Sequence, residues 1–381
     1  MKKCVAVCVF VLIFSVVFTF MSNAEEYEFN PEEDDESVDN NISAFLDSLP
    51  KDIKKVLIPI EDTKADEISN NYSYSFFKTF LIEKLKQLLP AHLKSASAIM
   101  AMMLVVGLLK LFQKQMMVTK LNNVTDMCSS LVLALTVLSG QKEVLAEVEV
   151  FLSTLSNTML MLVPVMESIY ISTGNYTLMA VSSTGLNLMI TFTLNLFSKI
   201  ILPAITVSFV IATTASITQN KAITYIARCL RTIITTILII SMTLMSFSLT
   251  LQIDTATATD NFTNRTIRFA LGSYIPIVGG TVSETYSIMR SSISLIKSLT
   301  GTSAIVALLL ICAQPIISIS LNRIMISISK NIAGLVECDG EENLFTEIGS
   351  CYTLLISVVI SCVVMYIIAI AQFSKASVGI N

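Results

Sequence analysis

The chain has 381 residues, 53% of them hydrophobic and 14% charged, and its mean hydropathy is +0.72; an average soluble domain carries about 25% charged residues. Sixteen acids and eight bases fall between Glu25 and Lys94, leaving thirteen acids and fifteen bases for the 287 residues from Ser95 onward. So few charges cannot solvate a globule of that size, which excludes a soluble enzyme, a nucleic-acid binder and a disordered protein and leaves an integral membrane protein.

Residues 1–24 read as a secretory signal peptide. Lys2 and Lys3 form the charged start, Cys4 to Phe20 is an unbroken apolar run, and Ser22-Asn23-Ala24 supplies small residues for cleavage. A retained first transmembrane helix is the alternative, and both readings put the following segment outside the cytoplasm. That segment, residues 25–90, is the only extended water-compatible stretch. It opens with nine acids between Glu25 and Asp39 and no base among them, a block that repels itself and stays solvated. Amphipathic pieces follow around Ile42–Leu57 and Tyr74–Leu89. In the second, Phe76, Phe77, Phe80, Leu81, Leu85, Leu88 and Leu89 recur at helical spacing, so it is expected to lie on the membrane or pack on the bundle.

Residues 95–381 form a series of apolar runs, each near the roughly 20 residues a helix needs to cross a bilayer. They cover 95–112, 124–140, 150–172, 178–202, 204–219, 232–252, 301–322 and 351–373. A ninth, 266–283, is interrupted by Gly272, Pro276, Gly279 and Gly280. The expected fold is all-α, a polytopic bundle of about seven to nine spans, some of them broken by Pro or Gly. Orientation is poorly determined: eight spans with residue 25 outside give eight inner bases (Lys110, Lys114, Lys120, Lys221, Arg228, Arg231, Arg323, Lys330) against seven outer ones.

Four prolines share a setting inside or at the edge of apolar runs. Pro164 and Pro203 are 39 residues apart, Pro276 and Pro315 are also 39 apart, and the two pairs are offset by 112. Each pair is followed by a polar helix-like stretch and then a strongly apolar run. Two copies of one unit, 160–252 and 272–373, would give this pattern, and paired proline breaks often mark a pathway between halves. Coincidence in a low-complexity apolar sequence is the alternative.

Chemistry-bearing motifs are absent: there is no P-loop, no H-E-x-x-H, no G-x-S-x-G and no dinucleotide fingerprint. No catalytic residue, cofactor or metal is expected. His92 is the only histidine, so one chain cannot build a multi-histidine site. The eight cysteines include no C-x-x-C pair and read as small hydrophobes. Polar residues of the second half gather between Asp254 and Lys297, where Asp260, Arg265 and Arg268 precede Tyr274-Ile275-Pro276-Ile277-Val278-Gly279-Gly280. Arg265 and Arg268, three apart, share a helix face and either hold a broken helix beside a conduit or anchor a solvated loop. Glu167, three residues after Pro164, is a carboxylate inside an apolar run, a functional candidate by default unless the span ends before it.

The stretch Asp260-Asn261-Phe262-Thr263-Asn264-Arg265-Thr266-Ile267-Arg268-Phe269, with the Tyr274–Gly280 run after it, resembles the central motif of the stage III sporulation protein AE family. The resemblance extends to Leu162-Val163-Pro164 with Gly174 beyond, to Ala333-Gly334-Leu335-Val336-Glu337 and to Phe345-Thr346-Glu347-Ile348-Gly349. Cys338 stands where the family commonly has a proline after Glu337, so that turn is expected to differ. The resemblance implies a protein of spore-forming Firmicutes, made in the mother cell and seated in the membrane around the engulfed forespore. It implies a channel-like or secretion-like complex joining the two cells and supporting late forespore development. The partners so implied are the bilayer, other membrane proteins of the same sporulation operon and an ATPase among them, with no nucleic acid. A self-sufficient secondary transporter, suggested by the candidate repeat and Glu167, is the competing expectation.

Overall fold

The computed structural model describes residues 74–116, 119–172, 175–218, 220–274, 279–336 and 338–375, with positions 41, 44, 45, 47, 49, 50 and 53 before them. At 74–77, 95, 111, 113–116, 119–127, 261, 264–274, 279–303 and 374–375 it describes the backbone alone. The expected signal peptide, the acidic block and Pro276 lie outside the described residues.

Every described element is helical, as an apolar backbone in lipid demands, because a helix satisfies its own N–H and C=O groups. The order is α1 (Tyr74–Met116), α2 (Thr119–Ser172), α3 (Tyr176–Leu196), a π turn (Phe197–Ile201), α4 (Leu202–Thr218), α5 (Lys221–Tyr274), α6 (Gly279–Leu335) and α7 (Asp339–Lys375). Six stretches are long and apolar enough to cross a membrane: Lys78–Lys110, Cys128–Ser172, Tyr176–Thr218, Lys221–Asp260, Ala304–Leu335 and Asp339–Phe373.

Six among the described residues, against about seven to nine expected, reflects two mergers. The runs 124–140 and 150–172 both belong to α2, which at 54 residues is about 80 Å long. The runs 178–202 and 204–219 join through the π turn, where Leu202 N–H reaches back to the Phe197 carbonyl. Pro203 brings no N–H of its own, and the widened turn lets the helix continue past it rather than end there.

The helices alternate in direction. At one end Lys110 of α1, Ser129 of α2 and Glu341 of α7 meet, and Ser216 of α4 donates to the Gly340 carbonyl at 2.7 Å. At the other end Tyr170 of α2 donates to the Phe373 carbonyl of α7 at 2.9 Å, and Asp260 of α5 meets the start of α3. α6 and α7 pack along most of their length, α1 lies on α6, and α7 also contacts α4 and α5. The core between them holds large buried side chains, among them Tyr170, Phe197, Phe209, Phe345, Tyr366 and Phe373. Phe209 and Tyr352 meet edge to face, 5.5 Å between ring centres.

The helix boundaries do not carry the 112-residue offset of the candidate repeat. The break between Ser172 and Tyr176 would recur at about 285–287, but α6 is continuous there. The prolines also differ in setting: Pro164 is exposed within α2, Pro203 is exposed next to the π turn and Pro315 is buried within α6. Neighbouring helices absorb proline in different ways, so equal spacing does not produce equal helix ends.

Candidate functional site

Charge inside an apolar bundle is costly unless it is paired and hydrogen-bonded, so the polar clusters mark where this molecule departs from simple packing. Four clusters stand out, each joining helices distant in sequence.

The first is at the end of the bundle that carries the α4–α5 and α6–α7 turns. Glu347 of α7 accepts hydrogen bonds from Arg228 Nε and Nη2 at 3.0 and 2.7 Å, and pairs through its other oxygen with Arg231. Arg231 also donates to Cys351 Sγ at 3.6 Å, itself 3.6 Å from Ser208 Oγ. Arg228 and Arg231 are three apart on α5, so one helix face presents both guanidinium groups. A cavity of about 520 Å³ opens beside them, lined among others by Lys221, Tyr225, Arg228, Asp339, Asn343 and Glu347.

The second cluster, nearby, surrounds Glu341, which is fully buried. Its carboxylate accepts from Lys110 Nζ at 2.7 Å, Ser129 Oγ at 3.0 Å and Ser130 Oγ at 3.2 Å. Three helices thereby converge on one charge.

The third cluster is at the opposite end. Asn175 precedes α3 but makes no side-chain capping bond. Asp260, arriving from α5, does that work: its oxygens accept the Thr177 and Leu178 backbone N–H groups at 3.1 and 2.8 Å. A carboxylate at a helix N-terminus satisfies orphan donors and complements the helix dipole.

The fourth joins α1, α2 and α6. Glu147 accepts from Ser318 Oγ at 2.6 Å and from Gln314 Nε2 at 3.4 Å. His92 lies 3.1 Å from Ser318 Oγ through Nε2 and 3.2 Å from Asn322 Nδ2 through Nδ1.

Of the residues singled out from sequence, Asp260 and Pro315 belong to these clusters, the latter one position beyond Gln314. Glu167 is half-buried on α2 and takes no part in the hydrogen bonds or ion pairs of the described residues. Pro164 and Pro203 face outward. Arg265 and Arg268 continue α5 beyond Asp260, and Gly279 and Gly280 open α6; their side-chain surroundings are outside what is described.

Sequence reasoning did not find Glu147, Glu341 and Glu347, and it noted His92 only as a lone histidine. A signal was present for one pair: the polar stretches Lys221–Arg231 and Leu344–Ser350 follow the two proline pairs, one basic and the other holding an acid. Opposite charge in two similarly placed stretches is what joins Arg228 and Arg231 to Glu347.

The family described as stage III sporulation protein AE matches residues 60–377. Stage III sporulation protein AE of Bacillus subtilis (strain 168) is 27% identical over 172 residues, covering 44% of this chain and 42% of that protein. The alignment thus spans less than half of the curated relative. No solved structure matches the chain. The resemblance carried by Asp260–Phe269 and Tyr274–Gly280 and the match over residues 60–377 agree: the chain belongs to the stage III sporulation protein AE family.

Proposed function

We propose that this chain is a non-enzymatic membrane subunit of a multiprotein channel-like or secretion-like assembly between mother cell and forespore, required for late forespore development. Its partners are other membrane proteins of the same sporulation operon, including an ATPase that supplies energy the chain has no motif to harvest. The observation that carries this reading is the family match over 60–377 on a bundle in which buried carboxylates join helices distant in sequence. Glu341, Glu347 and Asp260 each hold two or three donors. Carboxylates held this way brace a scaffold; the half-buried Glu167, outside these bonds, is the group a self-sufficient ion-coupled transporter would use.

We assign the Glu341–Glu347 end, which holds Lys110, Lys221, Arg228, Arg231 and Lys330, to the cytoplasm, because the signal-like start places the N-terminal segment outside and the helices alternate in direction. The Asp260 end then faces the space outside the mother-cell cytoplasm. The hydrogen bond from Asn41 Nδ2 to Ser168 Oγ, 3.2 Å long, ties the N-terminal segment toward that same end. This agrees with an exported segment in a multi-pass protein of the mother-cell membrane.

Two experiments test the reading. Deleting the gene is expected to stop spore development after engulfment and to leave vegetative growth unchanged; a growth defect in non-sporulating cells counts against it. The purified chain in liposomes is expected to show no solute uptake under an ion gradient. Gradient-driven uptake without partners would replace the subunit reading with the transporter.

A further inference from the structure

α3 turns a polar side outward. From Thr177 to Lys199 every exposed residue is polar: Thr184, Asn187, Thr191, Asn195 and Lys199 follow one another at intervals of three or four on one face. Leu186, Met189, Ile190, Leu196 and Phe197 are buried on the other. Past Lys199 the outward residues become Ile200, Pro203, Val207 and Val210, with Thr206 among them. α2 repeats the pattern. Its exposed residues are Cys128, Leu131, Val132 and Leu135 on one side of this stretch and Leu160, Met161 and Pro164 on the other. Between them come Ser139, Lys142, Glu143, Glu149, Ser153 and Asn157, interrupted by Ala146 and Val150.

Such a face suits a helix in water, yet this one lies within a span. Tyr176–Thr218 is 43 residues long, about 64 Å, and a hydrocarbon core about 30 Å thick centred on it covers Asn187 to Val207. Among the described residues the side chains of Lys142, Glu143, Glu149 and Lys199 make no ion pair or hydrogen bond. Charges at such depth face protein or water rather than lipid.

The two faces also match in level. The Tyr366 hydroxyl of α7 meets Ser156 of α2, 3.4 Å away, and Thr193 of α3, so those two residues stand at one height. Toward the Glu341 end, Lys199 is six residues beyond Thr193 and Glu149 seven from Ser156, about 9 and 10 Å. Asn195 and Ser153 lie two and three residues from the same reference, again at one height. An acid and a base thus share a level on neighbouring helices without pairing.

A second copy in the same membrane has the same orientation, so a two-fold axis relating the copies runs along the bilayer normal and preserves level. That rotation lays α2 of each copy against α3 of the other. Lys199 then meets Glu149 of the second copy, and Glu149 meets the second copy's Lys199. One amide hydrogen of Asn195 is used on the Thr191 carbonyl at 2.9 Å. The other is available to the Ser153 hydroxyl oxygen across the axis.

We propose that the outward face of α2 and α3 is a two-fold interface between two copies of this chain, centred on reciprocal Lys199–Glu149 ion pairs and Asn195–Ser153 hydrogen bonds. The interface stands whether the chain works alone or within an assembly, because it needs no other partner.

The test uses the full chain in lipid bilayers, made with two different affinity tags and with Cys4, Cys8, Cys128 and Cys229 replaced by serine. The four cysteines that remain are buried. One tagged form carries Asn195→Cys and the other Ser153→Cys, and copper phenanthroline in air oxidises adjacent thiols to a disulfide. Mixed membranes are expected to give a product carrying both tags on non-reducing gels. Leu108→Cys in both forms, at an exposed apolar position of α1, should give at least tenfold less. Lys199→Glu in both forms should lower the yield at least fivefold, and so should Glu149→Lys. Both exchanges together should restore it, because the reversed charges pair again, and recovery also shows that the exchanged chains fold. The proposal is overturned by no product carrying both tags, or by a yield that Leu108→Cys equals. It is equally overturned by single exchanges that change nothing, or by a double exchange that stays as low as the single ones.

Discussion

Glu347 and Arg228, 119 residues apart in the chain, are joined by two hydrogen bonds of 2.7 and 3.0 Å to a single carboxylate oxygen. The other oxygen holds Arg231, so one acid balances two guanidinium groups. The carboxylate is 6% exposed and the two arginine side chains are 60% and 11% exposed. The asymmetry sets the order of effects. Glu347→Gln leaves Arg231 charged and nearly buried without its counter-charge, and breaking a buried pair from one side costs about 3–5 kcal/mol. Arg228→Ala removes a partner that water largely screens, for about 1 kcal/mol or less. Thermal unfolding in detergent should therefore show a large fall in Tm for Glu347→Gln and a small one for Arg228→Ala.

Lys110 and Glu341 give a pairwise test of the same principle. With Glu341 fully buried and the ammonium 2.7 Å away, Glu341→Leu takes from Lys110 this counter-charge and from the Ser129 and Ser130 hydroxyls a shared acceptor. Lys110→Met strands the carboxylate. Each single substitution is expected to cost about 3 kcal/mol or more, and the double substitution less than the sum, because two apolar side chains of similar length can repack. A double-mutant cycle by chemical denaturation measures the coupling; additive losses would mean that the two groups do not interact.

The helical class and the membrane setting are legible in composition alone, because so few charges cannot cover a soluble globule. Helix ends are not. The stretch Gln141–Glu149 carries Lys142, Glu143, Glu147 and Glu149 between two apolar runs and reads as a loop by hydropathy. α2 passes straight through it because Lys142, Glu143 and Glu149 are exposed while Gln141, Val144 and Val148 are buried. A window average hides a buried face that helical periodicity separates from the exposed charges. The clusters were less legible still. Asp260 stands out because it opens a recognisable motif, but its partners are backbone amides 82 and 83 residues away, which no local pattern announces. Glu347 lies in the polar stretch Leu344–Ser350 and Glu341 just ahead of it; only the turn between α6 and α7 brings them to α1, α2 and α5.

Asp260 caps α3 from another helix, so its loss should be local. Asp260→Ala removes the acceptor for Thr177 and Leu178 and is expected to cost about 1–2 kcal/mol, the range for losing a capping side chain. Asp260→Asn keeps an acceptor and should cost less. Hydrogen exchange should reveal faster exchange at the Thr177 and Leu178 amides in the alanine variant, with the α6–α7 contact unaffected. Equal protection in all three proteins would remove the capping role.

The same carboxylate ends the apolar part of α5, and the family motif continues past it along the helix. Arg265 and Arg268 share a face there. If that face serves assembly, Arg265→Ala with Arg268→Ala should reduce co-purification with partner membrane proteins and lower spore yield more than Lys375→Ala does. Equal effects from the two variants would reduce the arginines to headgroup anchors.

Gly107 shows how closely α1 approaches the C-terminal turn of α6. A Cβ built there would lie 2.8 Å from Val336 Cγ1 and 3.3 Å from Cγ2, inside the distance at which carbon atoms can pack. Gly107→Ala must push α1 away or rotate the valine, and overpacking of this kind costs about 1–3 kcal/mol. That exceeds the roughly 1 kcal/mol that alanine gains over glycine inside a helix, so the net effect is destabilising. Val336→Ala in the same chain removes both methyl groups and should restore stability. Gly349 supplies the opposite sign: its nearest neighbour is 3.9 Å away, so Gly349→Ala meets only ordinary contact and should raise Tm slightly. Thermal unfolding of the four proteins, Gly107→Ala, Gly107→Ala with Val336→Ala, Gly349→Ala and the unsubstituted chain, separates steric approach from helix propensity. If both glycine substitutions stabilise alike, α1 does not sit as close to α6 as this contact requires.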